Sequence, residues 1–335
     1  MEVRRSGKQR QLEWGLGRPV MNRINASAGS ESQTLGERLS DWRNLLERCG
    51  RKPTRKRVHA LRVVTLRVQA EVEDELKDLL CASHEAQSIL RFGKLARKLR
   101  DALGAVRELD VWIGKLRGIS DSLSESAEYV PRSTRETARQ IARLEDRLAK
   151  KRDKAGEKLV KEIKKRRDDL LAIARDVEKA ATEQSDSSDG ERAPRLLNEF
   201  ARIVAEFPKF DESNLHDFRK RIKKIRYRAE IHASDPACSQ IAVQVKTAQD
   251  AVGEWHDWQI LARTAGSGKH AKDSNAVELL NSLTSEAYER ALATCESVLR
   301  RMAEMRNEMD AAKETERKPP ARTVSSASPI VSKLA

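Results

Sequence analysis

Residues 215–230 read LHDFRKRIKKIRYRAE, and residues 58–73 carry the same pattern as VHALRVVTLRVQAEVE. Aligned without gaps, His59 matches His216, Arg62 matches Arg219, Arg67 matches Lys224 and Glu73 matches Glu230. Apolar positions correspond as well: Val58 with Leu215, Leu61 with Phe218, Val68 with Ile225. At about 100° per residue, Leu215, Phe218, Ile222, Ile225 and Ala229 fall on one helical face roughly 80° wide. Such a face is built to enter a core. Two copies of it predict an all-α fold made by internal duplication, as two pseudo-symmetric four-helix bundles.

His216, Arg219, Lys223 and Arg226 form a second stripe, centred about 100° round the helix from the first. A stripe there lies at the edge of the buried face and looks into a cleft. Cations gathered in a cleft repel one another, so an anion filling it would account for their placement. A basic helix face is ordinarily just solvated. Against that reading, both copies share the spacing, and the second lacks the Glu-before-Lys i,i+4 pairs of a solvated helix. The first copy is the poorer one, with Leu66 where the second has Lys223 and Gln69 where it has Arg226.

The histidines admit two readings: a buried imidazole bonded near a helix start, or a donor to phosphate oxygens. A metal role is disfavoured, because each HxxR surrounds its histidine with positive charge and supplies no partner ligand at i+3 or i+4. A general base would need a nucleophile at a paired position, and none is there.

Outward from the repeats, helices are expected from Thr34 (Leu35, Leu39, Trp42, Leu46 at helical spacing), from about Arg55 to Leu80, and over 89–118 with a break near Gly104. GRKPT at 50–54 separates the first two, with Thr54 as N-cap. The charged stretch to about Ala181 suits one or two amphipathic helices, with Ile141, Leu144, Leu148, Leu159, Ile163 and Leu170 on the packed side. A helix over 195–206, the second repeat helix from Asn214, a break at PACSQ (236–240), a helix over 245–262, a loop at GSGK and a last helix over 275–313 complete the chain. The organisation expected is a flexible segment 1–33, then a helical domain over 34–313, then a disordered tail 314–335. Within the domain, halves 34–183 and 195–313 are joined by an acidic linker at 184–194.

The composition agrees with helices: 35% charged residues, 4% aromatic, and only 15 glycines and 9 prolines in 335 residues. A net charge of +14 points to an anionic partner, while 52 acidic residues confine the positive charge to patches. Cys49, Cys81, Cys238 and Cys295 are scattered, so no disulfide framework or zinc site is expected and a reducing cytoplasm fits. No apolar stretch is long enough to span a bilayer.

A second pair of segments matches. RKLRDALGAVRELDVWI (97–113) aligns with KTAQDAVGEWHDWQIL from Lys246, pairing Arg97 with Lys246, Asp101 with Asp250, Gly104 with Gly253 and Arg107 with His256. Taken in order over about 34–310, these four motifs resemble the CHAD family, the conserved-histidine α-helical domain. The resemblance implies a helical duplication with a basic central channel that binds inorganic polyphosphate and associates with polyphosphate granules, without an enzymatic activity or cofactor. Carried over by position, the contacts would be His59, Arg62 and Arg67 from the first copy and His216, Arg219, Lys223, Lys224 and Arg226 from the second. Arg97, Arg100, Arg107 and Lys246 would complete them, with Asp110 and Asp257 orienting nearby cations. The triphosphate-hydrolysing domain fused to some members holds its ExExK motif on a β-strand, and this sequence offers no alternating apolar and polar run from which a strand would form.

The alternative reading is a helical nucleic-acid-binding protein, or a binder of other polyanions. The low aromatic content argues against base stacking, and there is no helix-turn-helix or zinc-finger signature. Trp255 and Trp258 suit core packing. A polyphosphate-processing enzyme would need a cluster of metal-holding acids at convincing spacing, which the sequence does not supply. Chain-length preference and oligomeric state have no signature in the sequence.

Overall fold

The first helix starts where Thr34 can satisfy its orphan amides. The Thr34 hydroxyl accepts from Glu37 N at 3.3 Å while Glu37 Oε2 accepts from Thr34 N at 2.8 Å, a reciprocal capping box. In this computed structural model, residues 34–75, 84–125, 132–182, 192–267 and 274–317 are described, and they are helical throughout apart from short turns. Eight helices follow in order: α1 (Leu35–Arg51), α2 (Arg55–Glu75), α3 (His84–Glu125), α4 (Arg132–Thr182), α5 (Arg192–Ala205), α6 (Leu215–Ile231), α7 (Pro236–Gly266) and α8 (Asn275–Arg317). Among the described residues there is no strand. The fold is all-α, and no described helix is long and apolar enough to cross a membrane.

Several boundaries differ from the sequence expectation, each for a physical reason. α3 runs unbroken through Gly104, whose small size serves a side chain arriving from α2. PACSQ is the first turn of α7 and not a break. Pro236 occupies the first helical position, where its missing N–H costs nothing, and Asp235 Oδ1 accepts from Ala237 N at 2.8 Å. The 132–182 stretch is one helix of 51 residues, and its expected apolar positions from Ile141 to Leu170 are all buried. α5 starts at Arg192, three residues before its expected beginning, and α8 extends four residues beyond Lys313. The expected flexible segment 1–33, most of the linker, the GSGK loop beyond Ser267 and the tail from 318 lie outside the described residues.

The helices group into two compact units, one holding 34–185 with 255–286 and the other holding 186–254 with 287–317. In the first, α1 packs on α2, α2 on α3, α3 on α4 and α4 back on α1, a closed four-helix bundle. Its core centres on Trp42, Leu61, Phe92, Leu99 and Leu103, none more than 1% exposed. The Trp42 indole donates to the buried Thr65 hydroxyl at 2.9 Å, and Thr65 donates to the Leu61 carbonyl at 2.6 Å, so the polar atoms at the centre are satisfied. In the second unit, Phe200, Phe207 and Phe210 surround the Phe218 ring of α6 at centroid distances of 6.4, 5.5 and 4.7 Å. Cys49, Cys238 and Cys295 are buried thiols outside any disulfide, and burial pushes Cys49 up to about 11 and Cys295 up to about 12.

Candidate functional site

On α6, the five residues of the core stripe are buried, while His216, Arg219, Lys223 and Arg226 are all half-buried. The basic stripe therefore sits at the margin of the core, where its spacing put it. Its arginines are held by α7. Arg219 Nε donates to the Gln249 carbonyl at 3.2 Å, and the guanidinium crosses α7 over Gly253, where an added Cβ would lie 3.0 Å from Arg219 Nη2. Arg226 reaches the same neighbour: Nη1 donates to Gln249 Oε1 at 3.1 Å, and Nε donates to Glu230 Oε1 at 2.7 Å. Burial opposes the charge on Arg226, but the carboxylate of Glu230, which also accepts its hydrogen bond, and that of Asp250 outweigh it and raise its pKa.

The same construction occurs between α2 and α3. Arg62 Nη1 donates to the Arg100 carbonyl at 2.9 Å, and an added Cβ on Gly104 would stand 3.2 Å from that nitrogen. In the segment alignment, Arg100 stands opposite Gln249 and Gly104 opposite Gly253. The arginine of each HxxR thus lies across the glycine of the neighbouring helix and binds the carbonyl four residues before it. Gln69 Nε2 donates to Glu73 Oε1 at 2.7 Å, in the place where α6 has Arg226 and Glu230. The glutamine keeps the bond and loses the charge. His59 is exposed, one turn into α2, and Leu66 is only 7% exposed.

The other expected contacts divide by surroundings. Arg97 is exposed, Arg100 and Arg107 are half-buried, and helical spacing puts all three with Gly104 on one face of α3. Arg107 pairs with Asp257 at 3.3 Å, and Arg152 pairs with Asp110 at 2.9 Å, so both aspartates hold cations. Lys246 is exposed and bonded to Asp250. Lys224 stands about 120° from the stripe. It is exposed beside a cleft of ≈ 390 Å³ that Glu199 and Arg202 of α5, with Glu206 just after it, also line. Its counterpart Arg67 is half-buried. Glu230 follows Arg226 by four residues and pairs with it, so the stripe has one carboxylate beside it. Trp255 and Trp258 are both buried, and Lys115 Nζ lies 3.9 Å from the Trp258 ring centre.

Gln249 was not singled out in the sequence, although it organises the stripe. Its only sequence signal is its place opposite Arg100 in the second alignment. Among the described residues, no group of three or more His, Cys, Asp or Glu side chains is placed to hold a metal.

The model of the CHAD domain matches residues 33–266 of the chain, which takes in both HxxR helices and both glycine-bearing helices. The chain belongs to the CHAD family. In structure it is similar to PptA from Streptomyces chartreusis, with a TM-score of 0.54 and 15% sequence identity over 82% of this chain and 99% of that one. At that identity the likeness speaks for the CHAD fold alone. No curated protein matches the chain in sequence.

Proposed function

We propose that this CHAD domain binds inorganic polyphosphate, without catalysis, along the cationic stripes of α6 and α2. The observation that carries the reading is the repeated seating of the HxxR arginine on a backbone carbonyl across a glycine. A carbonyl orients a guanidinium without cancelling its charge, and a guanidinium has five N–H donors, of which a carbonyl takes one. Arginine so held suits the oxygens of a phosphate chain, with lysine adding a point charge. Arg107, Lys246 and Arg226 face carboxylates, so their charge is partly compensated. Arg219, Lys223 and His216 on α6, with Arg62 on α2, are the leading contacts. Association with polyphosphate granules follows as the setting in which such a binder would work.

Reversing two of these charges tests the proposal. Hydrogen bonds to charged groups contribute about 1.5–3 kcal/mol each, so Arg219→Glu with Lys223→Glu should weaken polyphosphate binding by at least ~100-fold. Helicity by circular dichroism should stay as in the unmodified chain. Binding that survives both substitutions would refute the assignment. In a competition arm, duplex DNA at equal phosphate should displace the polymer poorly; ready displacement would favour a nucleic-acid binder. Phosphate release in the presence of magnesium or manganese would replace the binder with an enzyme.

A further inference from the structure

A second cationic surface lies on α4, an element that carries neither HxxR motif. Arg147, Lys151, Lys154, Lys158, Lys161 and Lys165 recur at alternating steps of four and three, and all six are exposed. Steps averaging 3.5 residues keep them in a band roughly 80° wide and about 27 Å long. No other residue between 147 and 165 falls inside that band. The buried Leu148, Leu159 and Ile163 lie about 120° round the helix, so the row is not the edge of a core face.

The six form no ion pair among the described residues, although the rest of α4 is well paired. Arg152 meets Asp110 at 2.9 Å, Arg167 meets Glu47 at 2.8 Å, Glu178 meets Arg43 at 2.8 Å, and Arg166 meets Glu162. Glu157 and Glu162 flank the row, and Glu162 is already engaged by Arg166. A helix face that is merely solvated gains from alternating signs at i,i+4. Here Glu157 stands four residues before Lys161 and Glu162 four after Lys158 without an ion pair to either, and within the band a single sign runs for five turns, each cation repelling the next.

We infer that the α4 row is a second binding surface for polyphosphate, separate from the HxxR stripes, so that one protein can engage two segments of polymer. The inference takes its ligand from the polyphosphate reading above. Three features favour that occupant. α4 contains no aromatic residue on which a base could stack. The band contains no apolar residue that could enter a bilayer. The row is straight, whereas duplex phosphates wind about an axis and would meet it only at crossings; a flexible chain of phosphates can follow it from end to end. Lysine predominates, as suits a polymer read by charge and not by shape.

Calorimetric titration of the full chain with polyphosphate of roughly ten phosphates should give one more chain bound per protein than the K154E/K158E/K161E variant binds. With polymers of several hundred phosphates, the same variant should bind about tenfold more weakly, and its log–log salt slope should flatten by about two. K154Q/K158Q/K161Q should show the same loss of one site, and it supplies the result if the charge reversal disturbs the helix. Wild-type stoichiometry and long-chain affinity in both variants would overturn the inference. So would loss of duplex DNA binding with polyphosphate binding intact, which would give the row to nucleic acid. The complementary R219E/K223E variant separates the two assignments. If it loses a site and the α4 variants do not, the stripe stands and the row falls; the reverse result sinks the stripe and keeps the row.

Discussion

At the scale of the residue, the two glycines decide how the site is built. Gly253 allows Arg219 to lie against α7, and an alanine methyl there would stand 3.0 and 3.1 Å from two guanidinium nitrogens. The arginine end is flexible and can give by a few tenths of an ångström, so Gly253→Ala should not unfold the helix. Alanine gains about 1 kcal/mol of helix propensity over glycine, and weakening the bond to the Gln249 carbonyl forfeits about the same. Stability should therefore change little, while the displaced guanidinium should lower polyphosphate affinity several-fold. A melting curve and a titration on the same sample check this. Unchanged affinity with raised stability would mean that the glycine serves packing and not the arginine. Gly104 poses the same question for Arg62, where the approach is 3.2 Å.

At the scale of the element, α2 and α6 share a core face and differ at the stripe. The position of Lys223 is taken in α2 by Leu66, which is 7% exposed and belongs to the core. The weakness of the first copy is thus built into its packing and is more than a missing charge. Leu66→Lys should cost about 2 kcal/mol in urea unfolding, the burial of one leucine side chain. An unchanged midpoint would show that position 66 has the same surroundings as Lys223. The sequence made the helices legible because their apolar positions repeat within one element: all five residues named for the α6 core are buried, and α1 starts right after Thr34, where its apolar spacing begins. Gly104 and Pro236 were misread because glycine and proline mark close approach or a helix start as readily as a break. The charge partners were harder still. Asp257 stands 150 positions beyond Arg107, and Gln249 meets Arg219 from another helix, so no periodicity within one element could reveal them.

At the scale of the whole molecule, charge is sorted by position more than by amount. The chain carries 66 lysines and arginines against 52 acids, and many described cations are spent on holding helices together. Arg43 and Arg167, for example, tie α1 to α4 through Glu178 and Glu47, at 2.8 Å in each case. Pairs this open to solvent, half-buried at most, contribute about 1 kcal/mol each and weaken with salt. Ligand binding through the stripe should respond to salt far more steeply, because each phosphate neutralised releases a counterion. If two to four cations of the α6 stripe meet phosphates, short-chain affinity should fall with a log–log slope of about −1.5 to −3, using roughly 0.7 per contact for a single-stranded polyanion. The melting temperature should move by only a few degrees over the same salt range. The two measurements together separate a molecule whose excess charge serves a ligand from one whose charges serve the fold. A shallow binding slope alongside a steep loss of thermal stability would place the stripe among the structural ion pairs and remove the basis for reading it as a site.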